Sequence, residues 1–170
     1  ASVAAAIKRA KEKEGRIDIL VNNAGVCRLG SFLDMSDDDR DFHIDINIKG
    51  VWNVTKAVLP EMIARKDGRI VMMSSVTGDM VADPGETAIV GLTKSLAVEY
   101  AQSGIRVNAI CPGYVRTPMA ESIARQSNPE DPESVLTEMA KAIPMRRLAD
   151  PLEVGELAAF LASDESSYLT

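Results

Sequence analysis

The stretch "RIDILVNNAG" at residues 16–25 decides the fold, because it has the pattern of a buried strand that ends in a polar turn. Its run Ile19-Leu20-Val21 shows no alternation of apolar and polar residues, which is typical of a strand covered on both faces. The following Asn22-Asn23-Ala24-Gly25 consists of residues that are common in turns. Such a strand predicts a parallel sheet with helices on both of its faces.

Two later stretches have the same character. They are "RIVMMSS" at residues 69–75 and "GIRVNAICPG" at residues 104–113, and helical patterns alternate with them. This alternation predicts an α/β fold with a doubly wound parallel sheet, Rossmann-like and three-layered, as one domain over residues 1–170. In such sheets ligands bind beyond the carboxyl ends of the strands. Those ends are rich in small and hydrogen-bonding residues, so the pattern predicts a cleft along one rim.

Local signals place the helices around these strands. We expect a first helix that ends at Gly15, and a long helix over residues 36–65 with Ser36 as its N-cap and a bend near Pro60. Short helical segments are expected within residues 117–148. Asp150 and the proline after it predict a last helix that runs to about Ala162.

The bulk composition excludes several classes of partner. The 170 residues carry a formal net charge of −6 and no lysine or arginine cluster, which disfavours nucleic acid and anionic membranes. No apolar run approaches the ~20 residues that span a bilayer. With only Cys27, Cys111 and one histidine, His43, there is little to build a metal site, and a reduced cytoplasm is the expected compartment. These three residues are interpreted as structural.

Six pieces of the chain together resemble the short-chain dehydrogenase/reductase family from one end to the other. They are "DILVNNAG", "INIKG", "GRIVMMSSVTG", the "PG" at residues 84–85, "GLTKSLAVEYAQSGIRVNAICPGYVRTPM" and "FLASDESSYLT", in family order. The resemblance implies NAD or NADP as cofactor, an alcohol or carbonyl small molecule as substrate, and a homo-oligomer, either dimer or tetramer. It also implies that residues 117–148 form the variable lid over the substrate.

The resemblance assigns roles residue by residue. It implies that Ser75 holds the substrate oxygen and that Asn47 belongs to the catalytic set and orders a proton-relay water through its main chain. The cofactor-binding set that it implies lies after the first and third strands: Asn23, Ala24, Gly25, Pro112, Gly113, Val115 and Thr117.

Each assignment has a simpler alternative. The "NNAG" stretch would serve equally as a plain strand-to-loop turn. Ser75 would be a strand-end serine that satisfies a backbone group, and Asn47 would be a buried amide that bonds its own helix. Met119, Met139 and Met145 either line an adaptable apolar pocket or pack in the core.

The proton donor that the resemblance implies is missing. The family carries a tyrosine four residues before a lysine, whose ammonium brings the phenol pKa from ~10 nearer to working pH. None of Tyr100, Tyr114 and Tyr168 has a lysine four positions later, and Lys94 is interpreted as structural. The family would insert about seven residues between Ala88 and Ile89, or nearly two helical turns at ~3.6 residues each. The remaining helix would keep its phase, and a loop at residues 84–88 would be pulled along it.

Two explanations compete for this gap. Either the segment is deleted, which would leave a nucleotide-binding or assembly protein that reduces nothing, or the natural chain carries a Tyr-x-x-x-Lys loop that this sequence leaves out. The resemblance also implies a first strand with a TGxxxGxG phosphate turn before Ala1 and a final strand after Thr170. A three-stranded sheet with bare edges is prone to aggregation. We therefore expect these residues to be part of a longer enzyme that possesses the pair.

Overall fold

The computed structural model describes residues 2–28, 33–75 and 84–170, with the side chains of residues 84–87 outside the description. The described residues form one parallel sheet of three strands in the order β1-β2-β3. These are β1, Ile19–Asn22, β2, Gly68–Met73, and β3, Ile105–Ile110. The predicted parallel sheet is confirmed. Each strand ends two or three residues before the end of the sequence stretch that predicted it.

Helices connect the strands and cover the sheet. In chain order they are α1, Val3–Glu14, α2, Asp37–His43, a π-helical segment, Ile44–Gly50, α3, Val51–Arg65, α4, Pro84–Tyr100, α5, Pro118–Ser127, α6, Pro132–Ala142, and α7, Pro151–Ala162, with 3-10 turns at Ala101–Ser103 and Asp164–Ser166. The expected caps at Ser36 and Asp150 are confirmed, since each side chain accepts a main-chain N–H of the first turn.

The main core lies between one face of the sheet and helices α3 and α4. Ile70 and Met72 of β2 and Val107 of β3 are buried on this face because residues of a strand alternate between faces. They pack against Val58 and Met62 of α3, together with further buried side chains of α4. This layer holds the strands in register behind the predicted cleft.

The opposite face of the sheet is covered by α7 over β2 and β3. Val71 and Ile110 pack there against Leu161. On β1 the same face carries Ile19 and Val21, which remain 47% and 43% exposed. Val21 pairs in register with Val71, which is fully buried, so the cover stops between the first and second strands.

The long helix expected over residues 36–65 is continuous but not uniform. Its hydrogen bonding changes to the wider π pattern at Ile44–Gly50, between α2 and α3. Pro60 lies inside α3, which continues to Arg65, and the bend expected near Pro60 stays a prediction. A π segment arises where an extra residue is accommodated in the helix, often at functional sites.

Helix α4 begins earlier than expected. Residues 84–88 were expected to form a loop, yet the helix starts at Pro84, a residue favoured at a first helical position. The buried side chains of α4 include Ile89, Thr93 and Ala97, one per turn. The residues before the predicted gap are thus wound into the helix, and its apolar face still meets the sheet. Residues 76–83, which carry the "VTG" of the resemblance, lie outside the described residues.

Candidate functional site at the strand tips

The three strand ends lie side by side at one rim of the sheet. Asn22 pairs with Met72, and Met73 pairs with Ile110, so the three strands end within one residue of each other. The Ser74 N–H donates to Ile110 O at 2.8 Å, which carries the chain toward Ser75 alongside the end of β3. Because the strands are parallel, the segments that follow them leave from the same edge.

The segment after β1 emerges from a fixed point. Asn22 is 8% exposed, and its amide donates to Thr55 Oγ1 of α3 at 3.0 Å. The next three residues, Asn23, Ala24 and Gly25, are exposed at the rim. The expected cofactor-binding residues of this segment are therefore accessible, and their main chain starts from a buried, hydrogen-bonded asparagine.

Gly25 and Gly113 test whether the rim fits a flat ligand. A Cβ at Gly25 would meet Asn47 Oδ1 at 3.6 Å, an ordinary contact, and a Cβ at Gly113 would meet nothing within 4 Å. Packing within the described protein therefore does not demand glycine at either position. The open space at Gly113 is compatible with a ligand that approaches the main chain closely.

Asn47 lies in the π-helical segment and bonds the loop after β1. Its Nδ2 donates to Val26 O at 2.9 Å, and its Oδ1 accepts the Val26 N–H at 2.9 Å. The alternative in which this amide bonds its own helix is wrong. The expected role of the Asn47 main chain in ordering a water stays a prediction.

His43 supports the same loop one turn earlier, a contact that the sequence interpretation did not assign. Its Nε2 accepts the Arg28 N–H at 2.9 Å, and its Nδ1 lies 2.9 Å from Asp39 O.

The Arg28 guanidinium forms an ion pair with Asp39 and stacks over the Phe42 ring, 4.0 Å from its centroid. The hydrogen bond from Arg28, with a second from Ser36, lowers the pKa of the Asp39 carboxyl. The four-residue spacing of His43 and Asn47 was the sequence signal that could have placed both side chains on the same side of the helix.

The segment after β3 is anchored to the residues before α7. Val115 forms a bridge with Ala149, whose carbonyl accepts the Arg116 N–H at 2.9 Å. Thr117 caps α5, its Oγ1 accepting the Ala120 N–H at 3.3 Å, and its hydroxyl proton remains available as a donor. Pro112 is half-buried and Gly113 exposed, so the expected nicotinamide-side residues follow one another along the rim.

Ser75 is half-buried two residues beyond the end of β2, between the segments that follow β1 and β3. Neither Tyr100 nor Tyr168 replaces the missing proton donor. Tyr100 ends α4, and its hydrogen bond with Glu99 raises the pKa of its phenol, away from neutral pH. Tyr168 is 99% exposed next to the 3-10 turn at Asp164–Ser166.

Met119 and Met145 are 42% and 70% exposed, so the core-packing interpretation is wrong for both.

The described residues hold no group of three or more His, Cys, Asp or Glu side chains able to bind a metal ion. None of the helices in the described ranges is both long enough and apolar enough to cross a membrane. Cys27 and Cys111 are both exposed.

Comparison with known proteins places this chain in a family. A family model described as "Enoyl-(Acyl carrier protein) reductase" matches residues 1–170. The chain is 96% identical to Oxidoreductase UcpA of Escherichia coli (strain K12) over 177 residues, which cover all of this chain and 67% of that protein. The chain belongs to the short-chain dehydrogenase/reductase family.

Solved structures agree with this assignment. NAD+-bound xylitol dehydrogenase is 33% identical and superposes with a TM-score of 0.87, over 99% of this chain and 70% of that one. An actinorhodin polyketide ketoreductase with NADPH is also 33% identical, with a TM-score of 0.91 over 99% of this chain and 69% of that one. Both of these structures contain a nicotinamide cofactor.

The length of the UcpA alignment bears on the missing segment. It spans 177 residues against 170 in this chain, so seven aligned positions have no counterpart here. Seven such positions are by themselves enough to account for the difference between 96% and full identity. The number equals the size of the gap that the sequence predicts between Ala88 and Ile89.

Proposed function

We propose that this chain is the core of an NAD(P)-dependent oxidoreductase that transfers a hydride between a nicotinamide cofactor and an alcohol or ketone. One observation carries the proposal: three parallel strands end within one residue of each other at a single rim. Gly25 and Gly113 stand at this rim, and neither is required there by packing within the described protein. Family membership supplies the reaction class, and the NAD+ and NADPH named for two similar structures support the cofactor class.

The proposed division of labour follows the rim. A bound nicotinamide ring would supply or accept the hydride. Asn23, Ala24 and Gly25 would line the adenosine-ribose end of the cofactor. The segment with Pro112, Gly113, Val115 and Thr117 would contact the nicotinamide ring and its carboxamide, with the Thr117 hydroxyl as a donor.

Ser75 would position the substrate. Its hydroxyl would donate a hydrogen bond to the substrate oxygen and favour charge that develops on that oxygen. The proton itself would come from the tyrosine of a Tyr-x-x-x-Lys segment between Ala88 and Ile89, absent from this sequence. The lysine ammonium would lower the phenol pKa, and Asn47 would complete the proton relay.

The second candidate is a nucleotide-binding or assembly protein without hydride transfer. It is favoured by the missing pair and by the seven aligned positions without a counterpart. Under this alternative the scaffold would bind cofactor or other subunits while turnover is zero with every substrate. The two candidates differ in a single segment, so restoring that segment separates them.

The test compares two forms of the protein. One is this chain, and the other, called here the full-length form, adds the flanking residues and the seven unmatched residues of the UcpA relative. We expect carbonyl-dependent oxidation of NADH or NADPH by the full-length form and none by this chain. A full-length form with phenylalanine in place of the restored tyrosine is the matched control, and we expect it to bind cofactor without turnover.

Ser75→Ala in the full-length form tests the substrate contact. We expect turnover to fall about 10²-fold or more, as for loss of an oxyanion donor, while the Kd of the reduced cofactor stays unchanged. Ser95→Ala, an exposed serine of α4, should retain wild-type turnover. An unchanged rate in Ser75→Ala would remove this serine from the mechanism. Turnover by this 170-residue chain would overturn the requirement for the tyrosine.

Three further features belong to the same proposal. Residues 117–148 would form the substrate lid. This segment contains α5 and α6, and the contacts of Tyr114 and Arg116 with Ala149 anchor it at both ends.

The protein would be a homodimer or homotetramer, which sedimentation of the full-length form would test. The cytoplasm is the proposed compartment, in keeping with two exposed cysteines.

A further inference from the structure

The imidazole of His43 is fully engaged although it belongs to no predicted catalytic or binding set. The residue is 9% exposed at the end of α2. Its Nε2 lies 2.9 Å from the Arg28 N and its Nδ1 lies 2.9 Å from Asp39 O. Both ring nitrogens therefore have main-chain partners, one in its own helix and one in the loop after β1.

These partners define the state of the ring. A main-chain N–H can only donate, so Nε2 must be an unprotonated acceptor toward Arg28. Nδ1 then carries the proton and donates it to the carbonyl of Asp39. In this tautomer the ring connects the helix to the loop.

The loop is held at a second point one helical turn away. Asn47, four residues after His43, bonds both the N–H and the carbonyl of Val26. The main chain of residues 23–25 thus runs between the buried Asn22 and the two anchors at Val26 and Arg28. The Asp39 carboxylate and the Phe42 ring hold the Arg28 side chain, whereas His43 holds its main chain.

We propose that His43 is a positioning residue for the cofactor: it fixes the loop after β1 in the shape that receives the adenosine-ribose end. This inference rests on the proposed function, since residues 23–25 are the proposed contact. Loss of the His43 acceptor would leave the Arg28 N–H without its partner and free the loop to move. Removal of one net hydrogen bond of about 1 kcal/mol corresponds to about a fivefold weaker interaction.

The experiment compares His43→Leu with His43→Gln in the full-length form. Leucine fills similar space without an acceptor, while a glutamine oxygen can accept the Arg28 N–H in place of Nε2. We expect His43→Leu to raise the Kd of NADH or NADPH about fivefold, measured by the fluorescence of the reduced nicotinamide. We expect His43→Gln to stay within about twofold of wild type, a rescue that a purely space-filling role would not give.

Amide hydrogen exchange at Arg28 provides a readout that needs no cofactor. We expect its exchange to become at least about fivefold faster in His43→Leu than in wild type, from the same hydrogen-bond energy, and to recover in His43→Gln. Lys49→Gln is the matched control, because Lys49 lies in the adjacent π segment and its ammonium bonds Asp45 rather than the loop. It should leave both readouts at wild-type values.

A second pair of variants breaks the bond from the loop side if His43→Leu fails to fold. Arg28→Pro removes the N–H, whereas Arg28→Ala removes the guanidinium and keeps the N–H. Weaker cofactor binding in Arg28→Pro than in Arg28→Ala is the expected result. Faster exchange at Arg28 in His43→Leu with an unchanged cofactor Kd would overturn the proposal, and so would equal binding in the Arg28 pair. Absence of turnover in the wild type would instead count against the proposed function alone.

Discussion

Gly104 occupies the tightest position among the glycines of the described chain. It precedes β3 with a φ of +74°, and a Cβ there would lie 2.1 Å from Lys66 O, at the turn that ends α3. Both the left-handed backbone and the close carbonyl select a residue without a side chain. The approach allows the turn before β3 to pack on the turn before β2, which sets the register between these strands.

We predict that Gly104→Ala destabilises the protein by about 2 kcal/mol or more, because the backbone strain adds to a clash that main-chain atoms cannot avoid. Urea denaturation would measure the change in the free energy of unfolding. Gly91→Ala is the matched control, since a Cβ at this exposed position of α4 meets nothing within 4 Å. It should stabilise by about 0.5–1 kcal/mol through the higher helix propensity of alanine. Equal effects would contradict the clash.

At this scale the sequence predicts what is local and misses what depends on the fold. The caps at Ser36 and Asp150 could be predicted because a cap needs only residues within three positions of it. The bond from Arg28 to His43 joins residues that are 15 apart, and nothing in either neighbourhood requires it. The resemblance assigned Asn47 to the site, whereas only the fold shows that its partner is Val26.

At the level of elements, the start of α7 concentrates charge in one capping box. The Glu153 carboxylate bonds the Arg147 guanidinium at 2.6 Å through both oxygens and also accepts the Asp150 N–H at 2.8 Å. Arg147 first, and then the Asp150 main chain, lower the pKa of Glu153 from 4.5 to about 2. The ionised form is therefore favoured in the folded state.

We predict that this carboxylate makes the helix acid-sensitive. Because the folded pKa lies below the unfolded one, its stabilisation is fully present above about pH 4.5 and is lost as the pH falls through about 2. The difference in free energy of unfolding between wild type and Glu153→Gln should be constant near neutrality and shrink toward zero at about pH 2. Glu156→Gln provides the reference for removing one carboxylate from α7. A difference that persists unchanged at the acid end would contradict the prediction.

Two elements departed from the sequence pattern for identifiable reasons. The apolar spacing of residues 36–65 predicts one helix, but periodicity does not distinguish α from π bonding over a few residues, so the segment Ile44–Gly50 was not foreseen. Residues 84–88 were expected to form a loop, yet proline is compatible with a first helical turn, and α4 starts at Pro84. The π segment contains Asn47 of the candidate site.

For the whole molecule, the uneven cover of the sheet has a consequence in solution. Ile19 and Val21 expose nearly half of their surface on the face where α7 covers β2 and β3. Adjacent apolar side chains on a strand at the side of a sheet favour association between copies.

We predict that Ile19→Thr combined with Val21→Thr lowers the self-association of this chain, measured by light scattering, with little change in the free energy of unfolding. Val71→Thr, at the fully buried register partner of Val21, is the contrasting variant. It should destabilise by about 1–3 kcal/mol because it buries a hydroxyl. Unchanged scattering in the double variant would show that association uses another surface.

The architecture as a whole was predictable because three apolar strands with polar tails admit few arrangements. Parallel pairing in chain order follows from the helical connections, and the common rim follows from the pairing. The roles of individual rim residues could not be predicted from pattern alone, since a turn such as Asn23-Ala24-Gly25 satisfies the fold with or without a ligand.

The regular burial along α4 makes the packing of this helix independent of the catalytic pair. Ile89, Thr93 and Ala97 recur at every turn, so a change in length of about two turns leaves the same stripe against the sheet. Loss of the catalytic segment from this helix would therefore not require loss of folding. A screen that selects variants by expression level or melting temperature would retain chains with and without the proton donor alike, and only a screen for turnover would sort them.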